Sequence, residues 1–226
     1  MTASDLRARL AFGAMGAASR ARLRLIGWRP NDRMDPDFRA LTTVIRLPVP
    51  VAERIEASLD RIRARWPAHV FYPVASMHVT VLNLDPYVAT GRDTGDLVEA
   101  AADALARHRR FRLTLRGLNV SPWTVFAEAH GADQQVSALR ASLRRALTEQ
   151  ANAPRRDSPL RRALPLVLAN VVRFTQPVDP RLLRALPPRR APTFGPFEVR
   201  EIEIVRTDGL LSAEHTDLLS TVSLRV

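Results

Sequence analysis

Met77–Leu84 reads M-H-V-T-V-L-N-L, and the rest of the chain can be placed around it. Valine, threonine and leucine suit a pleated, half-buried surface, so the stretch is predicted as a β-strand. Residues two apart on a strand share a face, which sets His78 and Thr80 side by side. An imidazole that can carry a proton then stands next to a hydroxyl that can donate to a phosphoryl oxygen. Phosphoester chemistry uses such a pair. An isolated H-x-T also fits a plain strand with a structural histidine, so the surrounding chain has to decide.

Upstream, Leu41–Leu47 reads as a strand ended by Pro48 and Pro50. Ile55, Leu59, Ile62 and Trp66 then recur at steps of 4, 3 and 4, the buried stripe of a helix. Downstream, Asp96–His108 is predicted helical with Thr94 as N-cap. Phe111–Arg116 alternates as a strand, Gly117–Pro122 reads as a turn, and Trp123–Glu128 returns as its hairpin partner. Val136, Leu139, Leu143 and Leu147 mark a third helix. Leu164–Phe174 is an apolar strand and Arg181–Leu186 a short helix. Phe197–Arg206 is a strand whose alternation changes phase between Val199 and Ile202, as at a bulge. Ser212–Leu219 reads as a short helix and Thr221–Val226 as a closing strand. The order predicts an α+β fold, with helices covering antiparallel or mixed sheet. Residues 38–226 form that domain. Residues 1–37 form a basic, partly helical extension, interrupted at Gly13 and Gly16 and ending in the loop Trp28–Asp37, that packs on the domain or on a partner.

The 226 residues suit one large domain or two tightly joined lobes. The chain has no cysteine, which excludes disulfides, thiolate metal sites and cysteine nucleophiles. Arginines or acids break every apolar run before it reaches membrane-spanning length. Nothing argues for secretion, and the chain is expected to be a cytoplasmic monomer. The net charge of +11 points to an anionic partner. All 34 basic residues are arginine, a bias that also fits a GC-rich genome. Residues 151–200 hold ten arginines against Asp157, Asp179 and Glu198, which is +7 of that charge. No H-E-x-x-H, no carboxylate cluster with metal spacing and no phosphate loop occurs, and G-R-D-T-G at Gly91–Gly95 reads as a turn. Neither metal nor cofactor is therefore expected.

Moved along by ninety residues, H-V-T-V-L-N-L at His78–Leu84 falls on L-A-N-V-V-R-F at Leu168–Phe174, each following a helix and a loop. With this repeat, M-H-V-T-V-L-N-L, the hairpin F-R-L-T-L-R-G-L-N-V-S-P-W-T-V-F and the ending I-E-I-V-R-T-D-G-L-L-S, the chain resembles the two-histidine (2H) phosphoesterase superfamily. That superfamily includes the 2′-5′ RNA ligase-like proteins and cyclic phosphodiesterases. The resemblance spans roughly Phe38 to Val226. It implies two pseudo-symmetric α+β lobes with helices outside, and a cleft between two strands that each carry H-x-T/S. The implied partner is RNA or a small nucleotide bearing a phosphate. His78 and Thr80 are the implied catalytic pair. Leu168 stands where the family has its second histidine, and Asn170 where it has the second Thr/Ser. Leucine can neither take nor give a proton, whereas Asn170 can still donate to a phosphoryl oxygen. By strand parity Arg173 points away from Leu168 and Asn170, as an arginine of the other face. Of the remaining histidines, His69 lies in a loop, His215 in the last helix, and His108 at a helix C-terminus that favours positive charge. His130, beyond the hairpin, is the one replacement for the missing imidazole that the sequence offers. Two functions follow: an acid–base phosphoesterase, or a nucleotide- or RNA-binding module without turnover.

The repeat carries a direct test. Leu168→His should raise ring opening of a 2′,3′-cyclic nucleotide by up to ~10²-fold, the low end for one added general acid or base. The gain should vanish in Leu168→His/His78→Ala, since the pair acts as a unit. A destabilised, inactive Leu168→His protein would count against the alignment of the two motifs.

Overall fold

Helix α1 (Ala3–Leu25) precedes strand β1 (Ala40–Arg46), helix α2 (Val49–Arg65), the short strand β2 (Val70–Phe71) and strand β3 (His78–Asn83). Helix α3 (Thr94–Ala106), strands β4 (Phe111–Val120) and β5 (Thr124–His130), helix α4 (Asp133–Ala151) and strand β6 (Leu168–Arg173) follow. A short helix α5 (Pro180–Ala185) and strands β7 (Thr193–Val199), β8 (Glu201–Thr207) and β9 (Asp217–Ser223) complete the order. The computed structural model describes residues 3–30, 35, 37–88, 93–151, 166–187 and 192–226. Among these, no helix is long and apolar enough to cross a membrane.

The nine strands form one open antiparallel sheet in the order β7-β4-β5-β6-β3-β1-β8-β9, with β2 added to β6. The order reads symmetrically about its centre. There β3 and β6 pair antiparallel through Val79 and Ala169, residues ninety apart. Equivalent residues that face each other in an antiparallel pair lie on a local twofold axis. The units β1-α2-β3 and β5-α4-β6 are therefore one strand–helix–strand motif used twice. The lobes interleave, because β8 and β9 return to the first lobe after β7 has closed the second.

On the helix side, Ile55, Leu59 and Ile62 of α2, Leu97 and Leu105 of α3, and Val136, Leu139, Leu143 and Leu147 of α4 join Val79, Val81, Ala169 and Val171 in one core. The other face of the sheet keeps smaller apolar patches. In the first lobe Val44, Val205 and Leu211 cluster. In the second Phe126 lies beneath Phe12 of α1, ring centroids 6.0 Å apart.

Two bulges shape the centre of the sheet. Thr43 pairs with Leu82 and Val44 with Thr80, which leaves Val81 as the extra residue of β3. Val125 pairs with Val172 and Phe126 with Asn170, which leaves Val171 as the extra residue of β6. An extra residue inverts the alternation beyond it. Arg140 of α4 donates its Nε–H to the Val81 carbonyl (2.8 Å) and so holds the first bulge from the helix side.

Several sequence readings change. The phase change after Val199 is a change of lobe, since β7 pairs with β4 while β8 pairs with β1 and β9. Gly117 is the bulge residue inside β4, not a turn, and the hairpin turns at Ser121–Trp123. The cap of α3 is Asp93, whose carboxylate accepts from the Gly95 N–H (2.9 Å). Residues 217–219 extend the last strand, after a single 3-10 turn at Ala213–His215. Helix α1 passes unbroken through Gly13 and Gly16. Residues 91 and 92 of the Gly91–Gly95 turn, most of the basic stretch 151–162, and residues 31–34 and 36 of the loop before Asp37 lie outside the described residues.

Gly117 has φ +75°, a conformation that costs a residue with a Cβ about 1–2 kcal/mol. Gly117→Ala should lower the unfolding free energy by about that amount, read as a lower urea midpoint with an unchanged slope. A wild-type midpoint would remove the strain argument.

Candidate cleft at the lobe junction

Where β3 and β6 diverge from their single pairing, the face of the sheet away from the helices opens into a pocket. Thr42 of β1, His78, Thr80 and Asn83 of β3, and Thr207 of β8 line it from the first lobe. Asn170 and Arg173 of β6 line it from the second, and the loop Asp208–Leu211 closes one side. The free space is about 40 Å³. That is roughly three times the ~10–15 Å³ one water needs, room for the oxygens of one phosphoryl group.

The structure brings His78, Thr80 and Asn170 together in this pocket. His78 is buried (8% exposed), and its Nδ1 lies 2.7 Å from the Ser76 carbonyl oxygen. A carbonyl only accepts, so Nδ1 carries the hydrogen, and in the neutral form of the ring the lone pair is on Nε2. The Asn170 carbonyl oxygen accepts from the Thr124 hydroxyl (3.1 Å), which leaves the amide N–H groups as what Asn170 can offer an anion. Leu168 is half-buried, on the same strand face as Asn170 and opposite Glu128. It does not line the pocket.

Arg173 corrects the parity expectation. The bulge at Val171 turns it back to the face of Asn170, just as the bulge at Val81 turns Asn83 back to that of Thr80. The guanidinium is 3% exposed. It donates to the Tyr72 hydroxyl (2.6 Å) and the Gly209 carbonyl (2.7 Å), and among the described residues it has no carboxylate partner within ion-pair distance. Strand parity could not reveal it, because a bulge leaves no periodic signal of its own.

The loop Asp208–Ser212 lies within the recognisable ending T-D-G-L-L-S, but the sequence alone gives none of its residues a role. Leu211 has φ +57°, the one positive value at a non-glycine among the described residues. Its side chain is held against Val44 and Val205. The Asp208 carboxylate accepts from the N–H groups of Leu210 (3.0 Å) and Ser212 (3.0 Å) and from the Ser212 hydroxyl (2.7 Å). Burial works against its charge, but the hydrogen bonds from Ser212 and Leu210 outweigh this and hold the carboxyl below its usual range.

The other histidines stand apart from the pocket. His69 and His108 have pKa values lowered by burial. The His108 ring nitrogen pairs with the Ser142 hydroxyl (2.9 Å). His130 is buried beneath α1, with Nε2 3.3 Å from Glu128 and its ring edge on Phe12. It does not reach the pocket. No group of three or more His, Cys, Asp or Glu suited to a metal occurs among the described residues.

The sequence profile described as "2'-5' RNA ligase superfamily" matches residues 43–210. Among solved structures, TT0787 of Thermus thermophilus is 23% identical, with a TM-score of 0.58, 82% of this chain covered and 98% of that one. E. coli LigT complexed with ATP is 18% identical, with a TM-score of 0.53 and coverages of 83% and 99%. E. coli LigT complexed with 3'-AMP is 16% identical, with a TM-score of 0.56 and coverages of 82% and 98%. At these identities the likeness is one of fold. A comparison with curated proteins gives no match.

Asp208 generates a pH prediction. Its folded-state carboxyl is depressed, so the stability it contributes is present above the unfolded value of about 3.9 and is lost as pH falls through the folded value. Asp208→Asn should lower the urea midpoint at pH 7, and the gap to wild type should close below about pH 4. A pH-independent gap would mean that the carboxylate charge is not what the loop uses.

Proposed function

The chain belongs to the 2'-5' RNA ligase superfamily, and on that premise we propose that its cleft binds the phosphate of an RNA end or a small nucleotide. In this reading the protein is a metal-independent phosphoesterase that uses histidine acid–base chemistry on 2′,3′-cyclic phosphates or 2′-5′ linkages. The observation that carries it is Arg173, a buried cation whose acceptors among the described residues are neutral, lining the same pocket as His78. Burying a charge without a counter-ion costs several kcal/mol, and an arriving anion offsets that cost. Arginine's planar fork suits phosphate better than any other cationic side chain does.

In ring opening, a water oxygen bonds to phosphorus and the bond from phosphorus to one ribose oxygen breaks. The His78 Nε2 lone pair takes the proton from the attacking water. The Thr80 hydroxyl, the Asn170 amide and Arg173 donate to the non-bridging oxygens as their charge grows. Leu168 offers no proton to the leaving oxygen, so solvent supplies it. The protein acts as a cytoplasmic monomer.

The replacement of the second histidine by Leu168 favours a second reading, a binding module that holds the nucleotide without turnover. Incubation with adenosine 2′,3′-cyclic phosphate in chelator separates the two. Ring opening that is lost in His78→Ala supports the enzyme, whereas binding without ring opening supports the module. Arg173→Met should weaken binding of 3'-AMP more than about tenfold while keeping or raising the urea midpoint, because it removes a buried charge that has no carboxylate partner among the described residues. Unchanged binding of 3'-AMP by Arg173→Met would overturn the phosphate-site reading in both forms.

A further inference from the structure

We propose that α1 sets the substrate class of the cleft: it seals the second lobe's half, so the site takes a terminal phosphate and excludes a strand that continues across both lobes. This rests on the reading of the cleft as a phosphate site. Every residue of β5 is buried, although the helices pack on only one side of that strand. Val125, Ala127 and Ala129 belong to the helix-side core. Phe126 and Glu128 alternate with them and pair with Asn170 and Leu168, so they face the cleft side. What covers them is α1.

The contact is built along one stripe, Phe12, Gly16, Ser19 and Leu23, all buried. Phe12 packs on Phe126 (6.0 Å) and on the edge of His130 (5.5 Å). Asn119 donates to the Phe12 carbonyl (2.8 Å) and to Glu128 (2.9 Å), which fixes the helix to the sheet through a dedicated buried side chain. Gly16 lets the backbone come this close, since a Cβ there would run into Asn119 Oδ1 and stand 2.8 Å from its Cγ. At the other end the Arg22 guanidinium sits 5.9 Å from the Trp123 ring centroid. The Trp123 carbonyl accepts from Phe174 N–H, so this end of α1 reaches the hairpin turn held against the end of β6.

The lobes therefore differ. The face around Val44 in the first lobe is covered by Leu211 of the loop that lines the pocket, while the equivalent face around Phe126 is covered by α1. A terminal 2′,3′-cyclic phosphate needs sugar and base on one side of phosphorus only. An internal linkage needs both, and the second nucleoside would have to lie where α1 is. Helix α1 precedes the residues matched by the superfamily profile.

The test uses the full chain and two probes, adenosine 2′,3′-cyclic phosphate and the 2′-5′-linked dinucleotide of adenosine without a terminal phosphate. Wild type should bind the cyclic nucleotide more than about tenfold more tightly. Gly16→Leu, which pushes α1 off Asn119, should tighten dinucleotide binding by about tenfold, the scale of one stacked base, and leave the cyclic nucleotide unchanged. Faster tryptic cleavage within α1 reports that the helix has lifted. If Gly16→Leu fails to fold, the pair G16C/N119C in this cysteine-free chain gives the same test reversibly. The oxidised form should keep the wild-type preference and the reduced form should lose it. A preference unchanged with α1 lifted, or a wild type that binds both probes alike, overturns the inference while the phosphate site stands. Failure of every form to bind either probe overturns the phosphate site as well.

Discussion

The pairing of Val79 with Ala169 is the constraint on which the architecture depends. Equivalent strands of the two lobes meet antiparallel there at equivalent residues, and no other β3–β6 partners extend the contact. A longer ladder would flatten the junction into continuous sheet and leave no recess. A single pairing lets the strands splay, with the helix sides filled by the common core and the opposite side left as a cleft. The bulges at Val81 and Val171, also ninety residues apart, then return Asn83 and Arg173 to that cleft. Symmetry thus extends beyond the fold to the irregularities that aim the side chains.

Against this symmetric frame the chemistry is unequal. His78 answers Leu168, Thr80 answers Asn170, and Asn83 answers Arg173. The first lobe holds the proton carrier, and the second holds the cation and an amide. General acid–base assistance by one group is worth ~10²–10⁴-fold, so a cleft with one imidazole starts well behind one with two. Buried donors aimed at developing negative charge contribute on a comparable scale. Arg173 already bears the cost of desolvation in the free protein, so the proposed phosphate would find it in place.

Much of this was legible in the sequence because it rests on periodicity. The stripes of α2 and α4, the alternation of β4 and the offset of ninety all follow from which residues must face a core. Strand parity set His78 beside Thr80, and the offset of ninety set Asn170 in the place of Thr80. Parity then failed at Arg173, because an inserted residue changes a side chain's face without changing the composition around it. It failed again at Val199–Ile202, where a break in phase has two physical causes, a bulge or a move to another sheet neighbour, that look alike in one dimension. Helix α1 was hard to read because its buried stripe contains a glycine and a serine. Their small size permits the close contact with Asn119 and hides the amphipathic pattern.

That small-residue stripe bears on why Leu168 is tolerated. Its cross-strand partner Glu128 is 2% exposed beneath α1, so one flank of position 168 is a closed wall. A histidine there would stand beside a buried carboxylate that is already hydrogen-bonded to Asn119. Such a neighbour favours the imidazolium, the form that can give a proton to a leaving oxygen. With α1 seated, leucine closes that edge without leaving a polar group in need of a partner. The seated N-terminal helix and Leu168 lie along the same pair of strands. The second lobe gave its face to an internal contact, and the residues lining the remaining pocket come from the first lobe and from the far end of β6.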